Sequence, residues 1–299
     1  MMRPAALALA LALALAAPAA EASPLVAELT LPTAAQRSLA ADIRAARAAR
    51  PDVFARVRDL AGLRPAVYRA TRAMRPSAAR ELRAMGPAAL MPMLDVLAVS
   101  GYGRALSDDE RDTLVLGALD AVGSLRDRRA EPVLRAAFER MRSPDAVRAA
   151  ARALGALAGD GEVALLTAAA RAPGMRQAAA LEGLGVSRRT DAALAIADVL
   201  DGATDAAVVT GAARGLAEAG STWAQHAAHR DAPLPRRCVE ALLRAFVRGA
   251  ADHEVMVAVA VSATYDTLLL LDAARADADP AARPRLEALS RIVRRGLAR

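Results

Sequence analysis

The 299-residue sequence contains no lysine and no asparagine, and it has one cysteine, one tryptophan, three phenylalanines and three tyrosines. A single cysteine excludes a disulfide scaffold. With aromatics at 2%, large aromatic-lined pockets are not expected, and the core has to be thin, built by close approach of helices rich in Ala, Leu and Val. The missing lysine makes every basic charge an arginine. Lysine and asparagine codons both begin with two adenines, so a GC-rich coding sequence accounts for the two absences more simply than selection for nucleic acid. What is present has a globular balance of 55% hydrophobic and 24% charged residues with net charge +7, which excludes a disordered tail or a collagen. The length fits two ordinary domains or one elongated array.

The first residues read as an address. Arg3 gives a short positive start, Ala5–Ala17 an apolar run, and Ala20-Glu21-Ala22 before Ser23 small residues at both positions of a cleavage site. This predicts a cleavable secretory signal over 1–22, cut after Ala22, with Ala17-Pro18-Ala19 as the alternative. The run of roughly 13 residues is shorter than the roughly 20 that a spanning helix needs. Removing Arg3 and Glu21 leaves the net charge at +7. No cysteine follows the run to carry a lipid, so the mature chain is expected to be periplasmic or secreted. Cys238 then has no partner for an internal disulfide and reads as a buried packing residue, with dimerisation through it as the minor alternative. Val255 to Leu271 is the next most apolar stretch. It contains Tyr265 and Asp266 and follows Asp252-His253-Glu254, which predicts a buried helix of the fold and no integral span in the mature chain.

An internal repeat organises the rest. A Leu, an apolar residue three positions on, and a small residue immediately after it recur as Leu82, Met85, Gly86; Leu119, Val122, Gly123; Leu154, Leu157, Ala158; Leu181, Leu184, Gly185; and Leu216, Ala219, Gly220. The small residues are spaced by 37, 35, 27 and 35 positions, a period that fits two helices and two turns. Positions three apart share a helix face, so each Leu and its partner form a buried stripe, and the small residue is expected to close the helix at a positive φ or tight turn. Start signals precede it: Ser107 with Glu110 as a capping box, Ser143-Pro144-Asp145, and Thr204-Asp205. Second helices are expected over Ala88–Ala98, Glu131–Met141, Glu162–Arg171 and Asp191–Leu200. No Val/Ile/Thr-rich alternating run supports a sheet.

At Ser143 to Leu157, through Pro144, Asp145, Val147, Arg148, Ala151, Leu154, Gly155 and Leu157, the chain resembles the HEAT repeat family in its short bacterial form. The resemblance covers roughly residues 76–247. It implies an all-α fold, an α-solenoid of stacked antiparallel helix pairs in a right-handed superhelix, with the second helices lining the concave face and a role in protein interaction. Thr113, Met175 and Thr210 stand where the third copy has Arg148, which speaks against a continuous Asp/Arg ladder between copies.

The flanks complete one elongated domain. Residues 23–75 read as an N-terminal helical cap around Ile43, Phe54, Val57 and Leu60, with breaks at Pro51 and Pro65. Residues 76–247 are the repeats, with Leu243 and Phe246 as a weak sixth copy and a linker-like break at Pro233 and Pro235. Residues 248–299 are a C-terminal cap, with Val255–Ala276 as one buried helix and Pro280–Leu297 as a basic end helix.

Chemistry-bearing patterns are few. His226 and His229 share a helix face if helical and, with His253 or Asp231, offer a metal site, but there is no HExxH or further cysteine, and capping or solvated histidines fit as well. Cys238 beside Arg236 and Arg237 has no histidine at a telling spacing. No phosphate loop or nucleophile elbow is present, so neither cofactor, metal nor enzyme activity is expected. Arginines are the informative column: Arg80, Arg152 and Arg214 sit two positions before the repeat leucine, with Arg83 and Arg148 near them. They form either a stripe for an acidic partner or solvated helix faces paired with Glu81, Asp145 and Glu218. Nucleic acid is not expected, since no aromatics interleave the stripe for stacking. The expected function is an exported, non-catalytic scaffold, monomeric, binding another protein of the cell envelope through these five arginines. The alternative is a binding module for an anionic lipid or cell-wall polymer through the same stripe.

Overall fold

The computed structural model describes residues 33–63, 77–99, 106–221, 233–250 and 252–298. Every regular element among them is helical. In chain order these are α1 (Thr33–Ala49), α2 (Pro51–Asp59), α3 (Ala78–Met85), α4 (Leu90–Leu94), α5 (Asp108–Leu125), α6 (Glu131–Arg140), α7 (Pro144–Leu157) and α8 (Asp160–Arg171). They continue with α9 (Gln177–Ser187), α10 (Thr190–Gly202), α11 (Ala206–Gly220), α12 (Leu234–Val247), α13 (Asp252–Val261), α14 (Tyr265–Asp277) and α15 (Arg283–Leu297). The predicted signal, His226, His229 and Asp231 fall outside the described residues.

Short polar side chains start the helices. The capping box before α5 is complete: the Ser107 hydroxyl accepts the Glu110 amide, and the Glu110 carboxylate accepts the Ser107 amide at 2.8 Å. Ser143 accepts the Ala146 amide ahead of α7, with Pro144 in the first turn, where its missing N–H loses no helix bond. At α11 the cap is Asp205, whose carboxylate accepts the amides of Ala207 and Val208. Ser77 caps α3 in the same way, through the Arg80 amide. The second helices fall where the pattern puts them, within two residues at most of their ends, save the first. There, a 3-10 turn at Gly86–Ala89 leads into α4, and a π turn follows at Asp95–Val99.

The helix ends correct the repeat register. Gly86 does stop α3 at φ +63°, but α5 runs past Gly123 to Leu125 and α9 past Gly185 to Ser187. The left-handed residues are Arg126, Ala158 and Arg188, with φ between 52° and 55°. Each lies three residues beyond a glycine and donates its N–H to that glycine's carbonyl: Gly123, Gly155 and Gly185. Ala158 thus closes α7 at a positive φ as expected, while the position equivalent to Gly123 and Gly185 in the third copy is Gly155. Small residues at these places serve the flank of the helix, where a neighbour's backbone comes close, rather than its end.

The repeat leucines Leu82, Leu119, Leu154, Leu181 and Leu216 are all fully buried. They sit in a row formed by the odd-numbered helices: α3 packs on α5, α5 on α7, α7 on α9, α9 on α11, α11 on α13 and α13 on α15. From α4 onward the even-numbered helices pack across onto this row, and α8, α10, α12 and α14 also touch in sequence. Within the odd row, backbones meet. A Cβ on Gly185 would stand 2.1 Å from the Gly215 carbonyl oxygen, and one on Gly123 would stand 2.7 Å from the Ala153 Cα. This is how a chain with so few aromatics fills its core, since the ordinary interaxial distance of about 8–10 Å shrinks when no side chain stands between helices.

At the N-terminal end, Ile43, Phe54 and Val57 are buried as expected, and α1 and α2 pack against α4. Arg47 of α1 joins them, since its guanidinium pairs with the buried carboxylate of Asp95 and lies 5.0 Å from the centre of the Phe54 ring. At the other end, the single buried helix expected over Val255–Ala276 is replaced by two. The chain breaks at 262–264 between α13 and α14, where Thr264 caps α14. Only part of this stretch is buried: Val255, Val259 and Leu271 are covered, whereas Tyr265 and Leu269 are 77% and 71% exposed. No described helix is long and apolar enough to cross a membrane.

Candidate functional site

The arginine column lies along the odd row, and the structure ties each member to an acid. On α3, Arg80 approaches Glu81 at 3.7 Å, and Arg83 reaches Asp120 of α5 at 3.2 Å. Arg148 of α7 pairs with Asp145 at 2.9 Å and with Glu182 of α9 at 3.4 Å. Glu182 in turn meets Arg214 of α11 at 3.6 Å, and Arg214 meets Glu254 of α13 at 3.4 Å. A ladder Arg148–Glu182–Arg214–Glu254 thus crosses four successive odd helices. It is an Arg/Glu ladder, carried by acids outside the repeat column, which is why comparing residues at the place of Arg148 did not reveal it.

A second run lies beside the first. Arg152 of α7 reaches Glu218 of α11 at 3.6 Å, and Arg188, just past α9, reaches the same carboxylate at 3.3 Å. Arg152 therefore spans the intervening helix, which the close backbone approach of α7, α9 and α11 makes possible. The side chain of Glu182 is only 7% exposed, while those of Arg148, Arg152 and Arg214 are between 39% and 48% exposed. Long guanidinium stems cover the acids and keep their planar heads at the surface. Four arginines here face Asp145, Glu182, Glu218 and Glu254, so the stripe is charge-balanced while its hydrogen-bonding edges stay accessible.

Other arginines clasp helix ends. Arg176 donates to the carbonyls of Phe138 at 2.7 Å, Glu139 at 2.6 Å and Met141 at 3.2 Å, closing the C-terminus of α6. Arg248 donates to the Leu200 carbonyl at 2.9 Å, and with Arg244 it holds Asp201 at the end of α10. These two guanidinium groups keep the Asp201 carboxyl below the usual carboxylate range. Arg285 of α15 donates to the Phe246 carbonyl and lies over its ring. Donor and acceptor are some 35 to 48 residues apart in these pairs, so local sequence pattern carried no sign of them.

Between α12 and α14 lies a groove of about 530 Å³ whose apolar lining includes Leu243, Val247, Leu270 and Ala274, with Arg244 and Asp277 among its charged residues. Cys238 of α12 is buried beneath Gly220, and burial pushes its thiol up to about 12. Arg236 is engaged with Glu240 at 2.9 Å. His253 is exposed on α13, and among the described residues no three His, Cys, Asp or Glu side chains gather as a metal site. In comparisons with known proteins, the chain matches no protein-family model and no curated protein.

Proposed function

We propose that the chain is an exported, non-catalytic scaffold of HEAT-like α-solenoid form that binds another protein of the cell envelope, with a signal over 1–22, helical caps over 23–75 and 248–299, and repeats over 76–247. The observation that carries this reading is the two-rowed, neighbour-to-neighbour packing of the helices, together with a ladder of half-exposed guanidinium groups along one row. Repeat arrays of this kind present long surfaces built from successive helices.

Backbone contact within the odd row supports curvature toward that row. In this reading the first helix of each pair forms the inside, where the family resemblance implies the second. Arg80, Arg83, Arg148, Arg152 and Arg214 then border the concave side. Their bond to internal acids pre-orients the guanidinium planes, and a partner carboxylate takes up the edges still facing water without the entropy of ordering a free side chain.

The test is in-cell crosslinking and capture of the tagged chain, with R80Q/R152Q/R214Q compared with wild type by mass spectrometry and the helicity of both checked by circular dichroism. One envelope protein retained by wild type and lost from a folded variant is the expected result. Equal capture by both removes the arginine row from the interface.

A further inference from the structure

Because the ladder is charge-balanced, the excess positive charge of the molecule has to lie elsewhere, and α15 holds a concentrated share of it. This helix carries Arg283, Arg285, Arg291, Arg294 and Arg295 against a single acid, Glu287. Leu286, Leu289 and Val293 face inward and are buried. Arg283 and Arg285 turn back onto the fold, donating to the carbonyls of Ala278 and Phe246, and Glu287 is met by Arg275 of α14. Arg291, Arg294 and Arg295 are exposed and make no ion pair with a described residue. Spaced by three and four positions, they share one face of the helix.

The same three C-terminal helices hold most of the exposed large apolar side chains among the described residues. These are Val257 and Val261 on α13, Tyr265 and Leu269 on α14, and Ile292 on α15 beside Arg291. Elsewhere only Met175 and Leu194 are comparably bare. Uncompensated arginines alone suit any polyanion. Arginines on an amphipathic helix, with aliphatic and tyrosine side chains exposed on the two helices packed against it, suit a surface that offers negative charge and an apolar interior together.

We infer that the C-terminal cap docks on the surface of an anionic lipid bilayer, with Arg291, Arg294 and Arg295 on the headgroups and Val261, Tyr265, Leu269 and Ile292 entering the headgroup boundary. The contact is peripheral. It does not depend on that ladder binding a protein.

The experiment is co-sedimentation of the full chain with vesicles of phosphatidylcholine alone or mixed in equal parts with phosphatidylglycerol. The readout is the excess retained by the anionic vesicles, which removes any contribution of the apolar run Ala5–Ala17. Wild type is expected to show an excess that added salt weakens. R291E/R294E/R295E, which alters only exposed side chains, should lower the affinity behind that excess more than about a hundredfold, since losing three arginines at roughly fivefold each already gives about a hundredfold and each reversal adds a repelled charge. V261S/L269S should weaken retention about tenfold with the charge unchanged. No excess for wild type, or an excess that survives the arginine reversal, overturns the proposal. Retention untouched by V261S/L269S overturns it too, since it shows a charge contact that needs no bilayer.

Discussion

Gly155 of α7 and Gly183 of α9 face each other so closely that a Cβ on Gly155 would stand 1.9 Å from the Gly183 carbonyl oxygen. Real Cβ atoms essentially never come within 3.0 Å of such an atom. The obstacle is backbone, which no rotamer change relieves. Gly155→Ala is therefore expected to destabilise the fold by about 3 kcal/mol, the upper range for overpacking. Gly161→Ala, in α8 with only the tip of Arg135 nearby at 3.8 Å, should be neutral or gain up to about 1 kcal/mol from helix propensity. Urea unfolding followed by circular dichroism separates the two, and equal stability of both variants would contradict the packing described.

Ala158 holds a left-handed conformation at φ 55°, which a Cβ disfavours. Ala158→Gly is expected to raise stability by about 0.5–1 kcal/mol, the relief of the left-handed strain less the added freedom of the unfolded chain. A lowered melting temperature would show that residue 158 does not sit in that conformation.

Glu182 lies between Arg148 and Arg214 with its side chain almost covered. Glu182→Gln leaves both guanidinium groups without their shared acid and should cost about 1–2 kcal/mol, less than a fully buried pair because the arginines keep contact with water. A double-mutant cycle of Glu182→Gln with Arg214→Met measures the coupling. Additivity of the two changes would dissolve the ladder as a stabilising unit.

Asp201 supplies a pH signature. Its carboxyl is lowered in the folded state by hydrogen bonds from Arg244 and then Arg248, so its contribution is fully present above the unfolded carboxylate pKa of roughly 3.9 and is lost as pH falls through the folded value. Asp201→Asn should be less stable than wild type at neutral pH by about 0.5–1 kcal/mol, the scale of a solvent-screened pair. That gap should close on acidification. A gap that is constant with pH would mean that the side chain acts through its shape and not its charge.

Burial keeps the Cys238 thiol protonated, its pKa pushed up to about 12. The folded chain should resist a thiol-specific reagent at pH 8 and react stoichiometrically in denaturant. Rapid native labelling would place Cys238 at an accessible surface.

Much of the fold was legible because its determinants are local. Ser107 with Glu110, Ser143 with Pro144, and Asp205 act within one turn, so their spacing in the chain is their geometry. The repeat leucines are likewise read from helical periodicity and are all buried. In the third copy Gly155 and Ala158 are both small and differ in role: one admits a neighbouring helix, the other takes the expected left-handed turn. Nothing in spacing distinguishes them. The break between α13 and α14 is marked only by Ser262 and Thr264 between two apolar runs, a signal too slight to split one apolar stretch into two helices, and which of its residues are covered depends on helices brought in by packing. Arg152 with Glu218 and Arg176 with the end of α6 are long-range pairs, invisible until stacking sets which turns meet. Arg80, Arg152 and Arg214 are legible as a column, with Arg83 and Arg148 beside it, yet their acids are only partly so, since Glu182 and Glu254 lie outside it.

The helix α9 is thin on both sides. Gly183 admits α7, where a Cβ would stand 2.5 Å from the Ala151 carbonyl oxygen, and Gly185 admits α11. α7 has the same character, with Gly155 toward α9 and Ala153 toward Gly123 of α5. A helix with small residues toward each neighbour is held at its spacing by backbone on both sides, so a bulkier side chain on one flank pushes it into the neighbour on the other. Here the middle of the odd row has no slack in which to absorb a larger residue.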